Sequence, residues 1–173
     1  MLKKLIISSV LLVFISLSFS TQVFAEEKIA LVSLQQALNM VDEGVKVKNS
    51  LKTEYETKKK KIDSMKTELE TLSQDLDKQQ MVLSQEALQT KRKTLQEKFI
   101  DLQNKAAIFE KELKTKEADS AKKILTSLRD IVINISKKEG YTLVIENSTE
   151  TVLFSKSAED ITSKVIAAYN SKK

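Results

Sequence analysis

The sequence of 173 residues has no cysteine, no histidine, no proline and no tryptophan, and only two glycines. Without cysteine or histidine there is no disulfide, no thiolate or imidazole to act as nucleophile or base, and no His/Cys zinc site, so much of enzyme chemistry is excluded before any motif is read. Without proline, and with glycine so scarce, the many tight turns of a β-sandwich and the glycine-rich loops of a doubly wound sheet are hard to build; long uninterrupted helices remain. No G-x-x-x-x-G-K-[ST] loop is present to cradle a nucleotide. Six Phe and three Tyr are the only aromatics, too few for the interleaved stacking platforms of single-strand nucleic-acid binders.

What is present begins with a leader. Lys3 and Lys4 precede an apolar stretch from Leu5 to Phe19, followed by Ser20-Thr21-Gln22-Val23-Phe24-Ala25. Positive, apolar, then small residues at minus three and minus one is the order of a secretory signal peptide, and it predicts cleavage after Ala25 and export to a bacterial periplasm. An uncleaved anchor would need about 20 apolar residues, and no cysteine follows the apolar core to carry a lipid.

From Lys46 to Glu139 the spacing changes. Leu51, Tyr55, Lys58, Ile62, Met65, Leu69, Leu72, Leu76, Gln79 and Leu83 alternate by four and three, and the series resumes as Leu88, Arg92, Leu95, Phe99, Leu102, Ala106, Phe109 and Leu113. A repeat of 3.5 residues held this long predicts a coiled-coil seam. Beyond Leu113 the steps through Glu117, Ala121, Ile124, Leu128, Ile131 and Ile135 contain a stutter, and Leu125 and Val132 widen the stripe, so this stretch is expected to enter a broader core. Ser84 is placed to cap a second helix, which predicts an antiparallel hairpin with its tip near 81–86 in preference to one rod of about 90 residues.

The flanks have strand character. Lys28 to Ser33, Tyr141 to Glu146 and Thr151 to Phe154 read as three short strands, Gly140 stands where the long helix must stop, and Ser157 is placed to cap a last helix with Ile161, Val165, Ile166 and Tyr169 on its apolar face. The first strand can meet the other two only if the intervening chain goes out and returns. The expected organisation is therefore a signal peptide over 1–25, a small β-rich body from 26–45 and 140–173, and a helical arm over 46–139: an α+β fold, mainly α. A body of about 50 residues buries little surface by itself, which points to oligomerisation.

Lys28-Ile29-Ala30-Leu31-Val32-Ser33-Leu34-Gln35-Gln36-Ala37-Leu38-Asn39, the Gly44 before the long helix, the Leu83-Ser84-Gln85-Glu86-Ala87 turn, the Glu139 to Glu146 segment EGYTLVIE and Asp160-Ile161-Thr162 together resemble the Skp (OmpH-like) periplasmic chaperones, in order and over nearly the whole chain after the leader. The resemblance implies a jellyfish-like homotrimer, with three bodies merged into a β-barrel and three coiled-coil hairpins hanging as tentacles around a cavity. It further implies that unfolded outer-membrane proteins are held there without ATP or any other cofactor and kept from aggregating on their way to the outer membrane.

Charge adds to this independently. Residues 46–139 carry 22 basic and 16 acidic side chains, whereas the remainder beyond residue 25 has 5 basic and 8 acidic. A positive arm raises the encounter rate with acidic clients and with anionic headgroups such as those of lipopolysaccharide, and does so less in high salt. Candidate client contacts are the clusters Lys58-Lys59-Lys60-Lys61 and Lys91-Arg92-Lys93, together with Met81 and Val82 at the tip, where methionine adapts to varied surfaces; Tyr55, Phe99 and Phe109 are expected to pack the seam. Rival readings are weaker. A specific nucleic-acid role conflicts with export, a coiled-coil spacer of the envelope has no need of a positive arm, and the one acidic pair of note, Glu159-Asp160, is expected at a helix start, where carboxylates oppose the dipole.

Overall fold

The computed structural model describes residues 27–148 and 151–172; the predicted leader and its cleavage site lie outside them. In chain order the elements are β1 (Ile29–Val32), α1 (Leu34–Met40), α2 (Asp42–Gln79), α3 (Gln85–Glu139), β2 (Leu143–Glu146), β3 (Glu159–Asp160) and α4 (Thr162–Asn170). None of these helices is long and apolar enough to cross a membrane.

Each helix end has a local cause. Ser33 caps α1 by accepting from the Gln36 amide at 3.2 Å, and Ser84 caps α3 in the same way from the Ala87 amide, each satisfying a donor that the first turn leaves free. Gly140 ends α3 in the left-handed region at φ 74°, where a side chain costs roughly 1–2 kcal/mol and glycine does not. With α2 and α3 closed by the Gln80–Ser84 turn, the hairpin expected from the heptads forms, and α2 alone is about 57 Å long at 1.5 Å per residue.

The sheet has the order β2-β1-β3 and both pairings are parallel. β1 pairs Ile29, Ala30, Leu31 and Val32 with Leu143, Val144, Ile145 and Glu146. Alternation along β1 buries Ala30 and Val32 against α1, α3 and α4, while Ile29 and Leu31 on the opposite face remain half-covered. One core serves the whole body: Leu34, Ala37 and Val41 from the first helical segment, Ile124, Leu128 and Ile131 from α3, Tyr141, and Ile161 and Val165 from the last helix. The stutter thus marks where α3 leaves the hairpin seam and enters this core.

Two expectations are corrected. Thr151 to Phe154 is not a strand: in this stretch Leu153 and Phe154 are 93% and 85% exposed, and the third strand is the two-residue β3. Ser157 does not cap the last helix, which begins at Thr162 with Ile161 at its cap position. The cause is one hydrogen-bond set. The Ile161 amide donates to the Leu31 carbonyl, Asp160 Oδ1 accepts from the Thr162 amide at 2.8 Å, and the buried Thr162 Oγ1 accepts from the Ser33 amide at 2.9 Å. Glu159-Asp160 is therefore held beside β1 instead of opening a helix.

At the base of the arm, Tyr141 donates to Glu159 and to Glu139 (3.2 Å), Lys164 bridges both carboxylates at 2.7 and 2.8 Å, and the Lys28 ammonium sits 4.3 Å from the Tyr141 ring centre. The hydrogen bond to Glu159, then burial, raises the Tyr141 phenol to about 12. Burial, then the 2.5 Å bond to Glu43, raises Tyr169 to about 12. A folded-state value above the ordinary 10 means that the protonated phenol favours the fold. This contribution is complete below about pH 10 and is lost as pH rises toward 12. Absorbance titration at 295 nm should show two of the three tyrosines ionising near pH 12 in the native protein and all three near pH 10 in urea; a single native step near 10 would contradict the network.

Candidate functional site

The arm is held by an apolar track and by ion pairs across it. On α2, Leu51, Ile62, Met65, Leu69 and Leu72 are half-buried and Leu76 is buried; on α3 the matching track is Leu88, Leu95, Leu102, Phe109 and Leu113, half-buried. Tyr55 and Phe99, expected in the seam, are instead 52% and 47% exposed, and Arg92 and Ala106 are exposed with them. Glu54, Lys98 and Lys105 take intermediate burial at neighbouring positions. A helix facing a single partner covers only a narrow stripe, and the straight 3.6-residue helix drifts from a 3.5-residue repeat. One of the two heptad tracks therefore turns to the flank and leaves apolar side chains in solvent.

The candidate client contacts take different surroundings. Lys58 lies in the seam, bonded to Glu112 at 2.6 Å and Glu54 at 3.4 Å, with its ammonium 4.3 Å from the Phe109 ring centre; the Glu112 hydrogen bond holds its pKa above the ordinary lysine value. Lys116 reaches Glu54 at 2.7 Å and keeps that carboxyl below its usual range. Lys59, Lys60 and Lys61 are exposed, and because consecutive helical residues are about 100° apart, the four lysines cannot share one face. At the tip, Met81 is 93% and Val82 82% exposed. Lys91 crosses the turn to donate to Gln79 Oε1 at 2.6 Å, while Arg92 and Lys93 are exposed, Lys93 standing 4.0 Å from Glu97. Among the described residues no cluster of acidic side chains is arranged to hold a metal.

The heptad reading missed a gap. Between Leu51 and Ile62 no large apolar residue of α2 lies buried in the seam; Lys58 occupies it, facing Glu112 and Phe109, and nearer the body α3 presents Glu117 and Ala121. Two grooves of about 450 and 560 Å³ open here and share Tyr55, Leu113 and Glu117. The signal was in the series itself, which places Lys58 on α2 and both Glu117 and Ala121 on α3 where large apolar residues would close the seam.

The arrangement, a slender two-helix arm on a small parallel sheet, has known counterparts. The family model described as outer membrane protein (OmpH-like) matches residues 28–169. A "Chaperone protein Skp" from Photorhabdus luminescens is 26% identical over 152 residues, covering 88% of this chain and 91% of its own. Another protein of that name, from Blochmanniella pennsylvanica, is 27% identical over 143 residues, with 82% and 85% covered. A crystal structure described as an OmpH-like outer membrane chaperone from Caulobacter crescentus superposes with a TM-score of 0.77 at 23% identity, covering 86% of this chain and 87% of that one. Since the family model spans both strands of the main pairing, the entire hairpin and nearly all of the last helix, the chain belongs to the OmpH-like family.

Proposed function

We propose that the protein is an ATP-independent periplasmic holdase that binds unfolded outer-membrane proteins between helical arms and prevents their aggregation in transit. The observation that carries this reading is a positively charged arm that leaves Tyr55, Phe99, Met81 and Val82 in solvent. Charge brings an acidic, unfolded client near, and scattered apolar side chains hold it loosely enough for release without fuel. The family and the Skp relatives agree with it. In this reading residues 1–25 direct export and are removed after Ala25, residues 26–45 with 140–173 form the oligomerisation body, and residues 46–139 form the client-holding arm. Client contact falls to Lys59, Lys60, Lys61, Met81, Val82, Arg92 and Lys93, with Lys58 and Lys91 tied mainly to neighbouring side chains of the arm. The same positive flank meets anionic lipid or lipopolysaccharide headgroups.

The working unit is a homotrimer with its three sheets merged into a barrel. Parallel sheets are stable when both faces are covered, yet Ile29, Leu31, Leu143 and Ile145 share the face turned from the core, where Leu143 is exposed and the other three are only partly covered in the isolated chain, and Leu153 and Phe154 stand exposed in the segment that follows β2. Neighbouring subunits cover that surface. Light scattering after dilution of a urea-unfolded outer-membrane β-barrel tests the activity. The wild type should suppress aggregation increasingly with its own concentration, without nucleotide. Converting Lys59, Lys60, Lys61, Arg92 and Lys93 together to glutamine should weaken client binding about tenfold at low salt and little at high salt. Undiminished aggregation with the wild type would end the chaperone reading, and a monomer in sedimentation would end the trimer.

A further inference from the structure

The seam gap at the root of the arm has the dimensions of a site. The two grooves join through Tyr55, Leu113 and Glu117 into one channel, floored by Leu51, Ile62, Phe109 and Leu113 and open along one side. Its rim is positive. Lys48, Lys52 and Lys59 line it with no ion-pair partner among the described residues. Of the rim carboxylates, Glu110 is bonded to Lys114 at 2.7 Å and Asp63 faces Lys66 at 4.0 Å, which leaves Glu117 uncompensated.

We infer that this channel, between the two helices of one arm, binds an extended polypeptide segment in which apolar or aromatic side chains alternate with polar and acidic ones. The inference rests on the chaperone reading for its biological setting but is tested separately. Length agrees with it. The stretch of α2 that lines the channel, Gly44 to Lys66, runs about 33 Å, which an extended chain spans in about ten residues at roughly 3.3 Å each. That is the length of a strand of a membrane β-barrel, about 9–11 residues, whose side chains alternate between apolar and polar. Every second side chain would meet the apolar floor, and the others would meet lysines and water. Openness also selects a peptide over an acyl chain. The backbone amides and carbonyls of a bound peptide keep their water through the open side, whereas an acyl chain there would leave much of its methylene surface wet.

The test is a fluorescence-anisotropy titration of the full-length processed protein with a labelled ten-residue peptide alternating Phe or Leu with Asp or Ser. A peptide of the same composition with its apolar residues clustered at one end serves as control. Filling the channel by Ala106→Phe with Ala121→Phe should weaken binding at least tenfold with helicity by circular dichroism unchanged. The surface variant Lys48→Glu, Lys52→Glu, Lys59→Glu, which leaves the floor intact, should weaken it about fivefold at low salt. The clustered peptide should bind at least fivefold less tightly than the alternating one. Failure of the wild type to bind, equal affinity of both peptides, or wild-type affinity in both variants overturns the inference, as does complete displacement of the peptide by lysophosphatidylglycerol at a concentration below that of the peptide. Unchanged peptide affinity in the variants alongside full protection of an unfolded barrel protein removes the channel and keeps the chaperone reading; peptide binding lost on filling, with no protection by the wild type, does the reverse.

Discussion

A Gly44→Ala variant is expected to lose about 3 kcal/mol of stability and to melt roughly 6–12 °C below the wild type, although alanine is the better helix former. On propensity alone the substitution in α2 should gain up to about 1 kcal/mol. Space reverses the sign. A Cβ at position 44 would overlap the Leu38 carbonyl oxygen, lie 3.1 Å from its carbon and stand 3.3 Å from Val41 Cγ2. The obstacle is backbone, at the end of α1, and it cannot rotate away. Val41, extended at φ −66° and ψ 145°, turns the chain so sharply that the first turn of α2 lies on the last carbonyls of α1. Relief requires the two helices to separate, which opens the core around Ala37 and Val41, and overpacking of this kind costs about 1–3 kcal/mol and occasionally more. About 2–4 °C accompanies each kcal/mol at this chain length. Gly140→Ala makes the contrast, since no atom lies within 4 Å of its would-be Cβ and only the left-handed backbone is strained, for a loss of about 1 kcal/mol. Thermal melts of both variants at one protein concentration decide the matter. A Gly44→Ala protein as stable as the wild type would show that the helices do not meet this closely.

Leu128→Ala should cost as much or more, about 3–4 kcal/mol within the 2–5 expected for a buried leucine. Its side chain is fully enclosed where α3 meets the N-terminal pair β1 and α1 and the last helix, three parts of the chain far apart in sequence that share this core. Rigid neighbours on several sides leave little room to collapse into the cavity. Leu102, half-buried in the two-helix seam, borders solvent, and its truncation should cost about 1 kcal/mol because relaxation and water fill the gap. Urea unfolding followed by far-ultraviolet circular dichroism, at equal protein concentration because association would shift apparent stability, gives the ratio. Equal losses at 128 and 102 would place the stabilising core in the arm instead of the body.

Those two residues also mark how far the sequence could be read. The hairpin, its tip, the caps at Ser84 and Gly140 and the passage of α3 into a wider core were all legible, because each rests on spacing or on the chemistry of one or two residues near each other in the chain. Thr151 to Phe154 was misread because an apolar, β-branched run satisfies strand propensity whether or not a neighbour with free backbone groups is within reach. The place beside β1 is taken by Glu159-Asp160, which has no strand propensity but is fixed there by Thr162 and Ser33. Tyr55 and Phe99 depart from the expected seam for a related reason. A heptad series gives the positions of apolar side chains around a helix, while the number of helices facing it determines how many of them are covered.

The candidate site divides along the same line. The basic character of the arm, the lysine and arginine clusters and the exposed Met81-Val82 turn are properties of composition and order, fixed in the chain before it folds. That Lys58 is spent inside the arm on Glu112 and Glu54, and that the seam around Leu51 and Leu113 is left open as an apolar-floored channel, depends on the register in which α3 returns against α2. Local periodicity and capping settled which segments are helices and where they stop. Only tertiary contact settled which side chains those helices hide from water, because burial is a property of pairs of surfaces and not of either one alone.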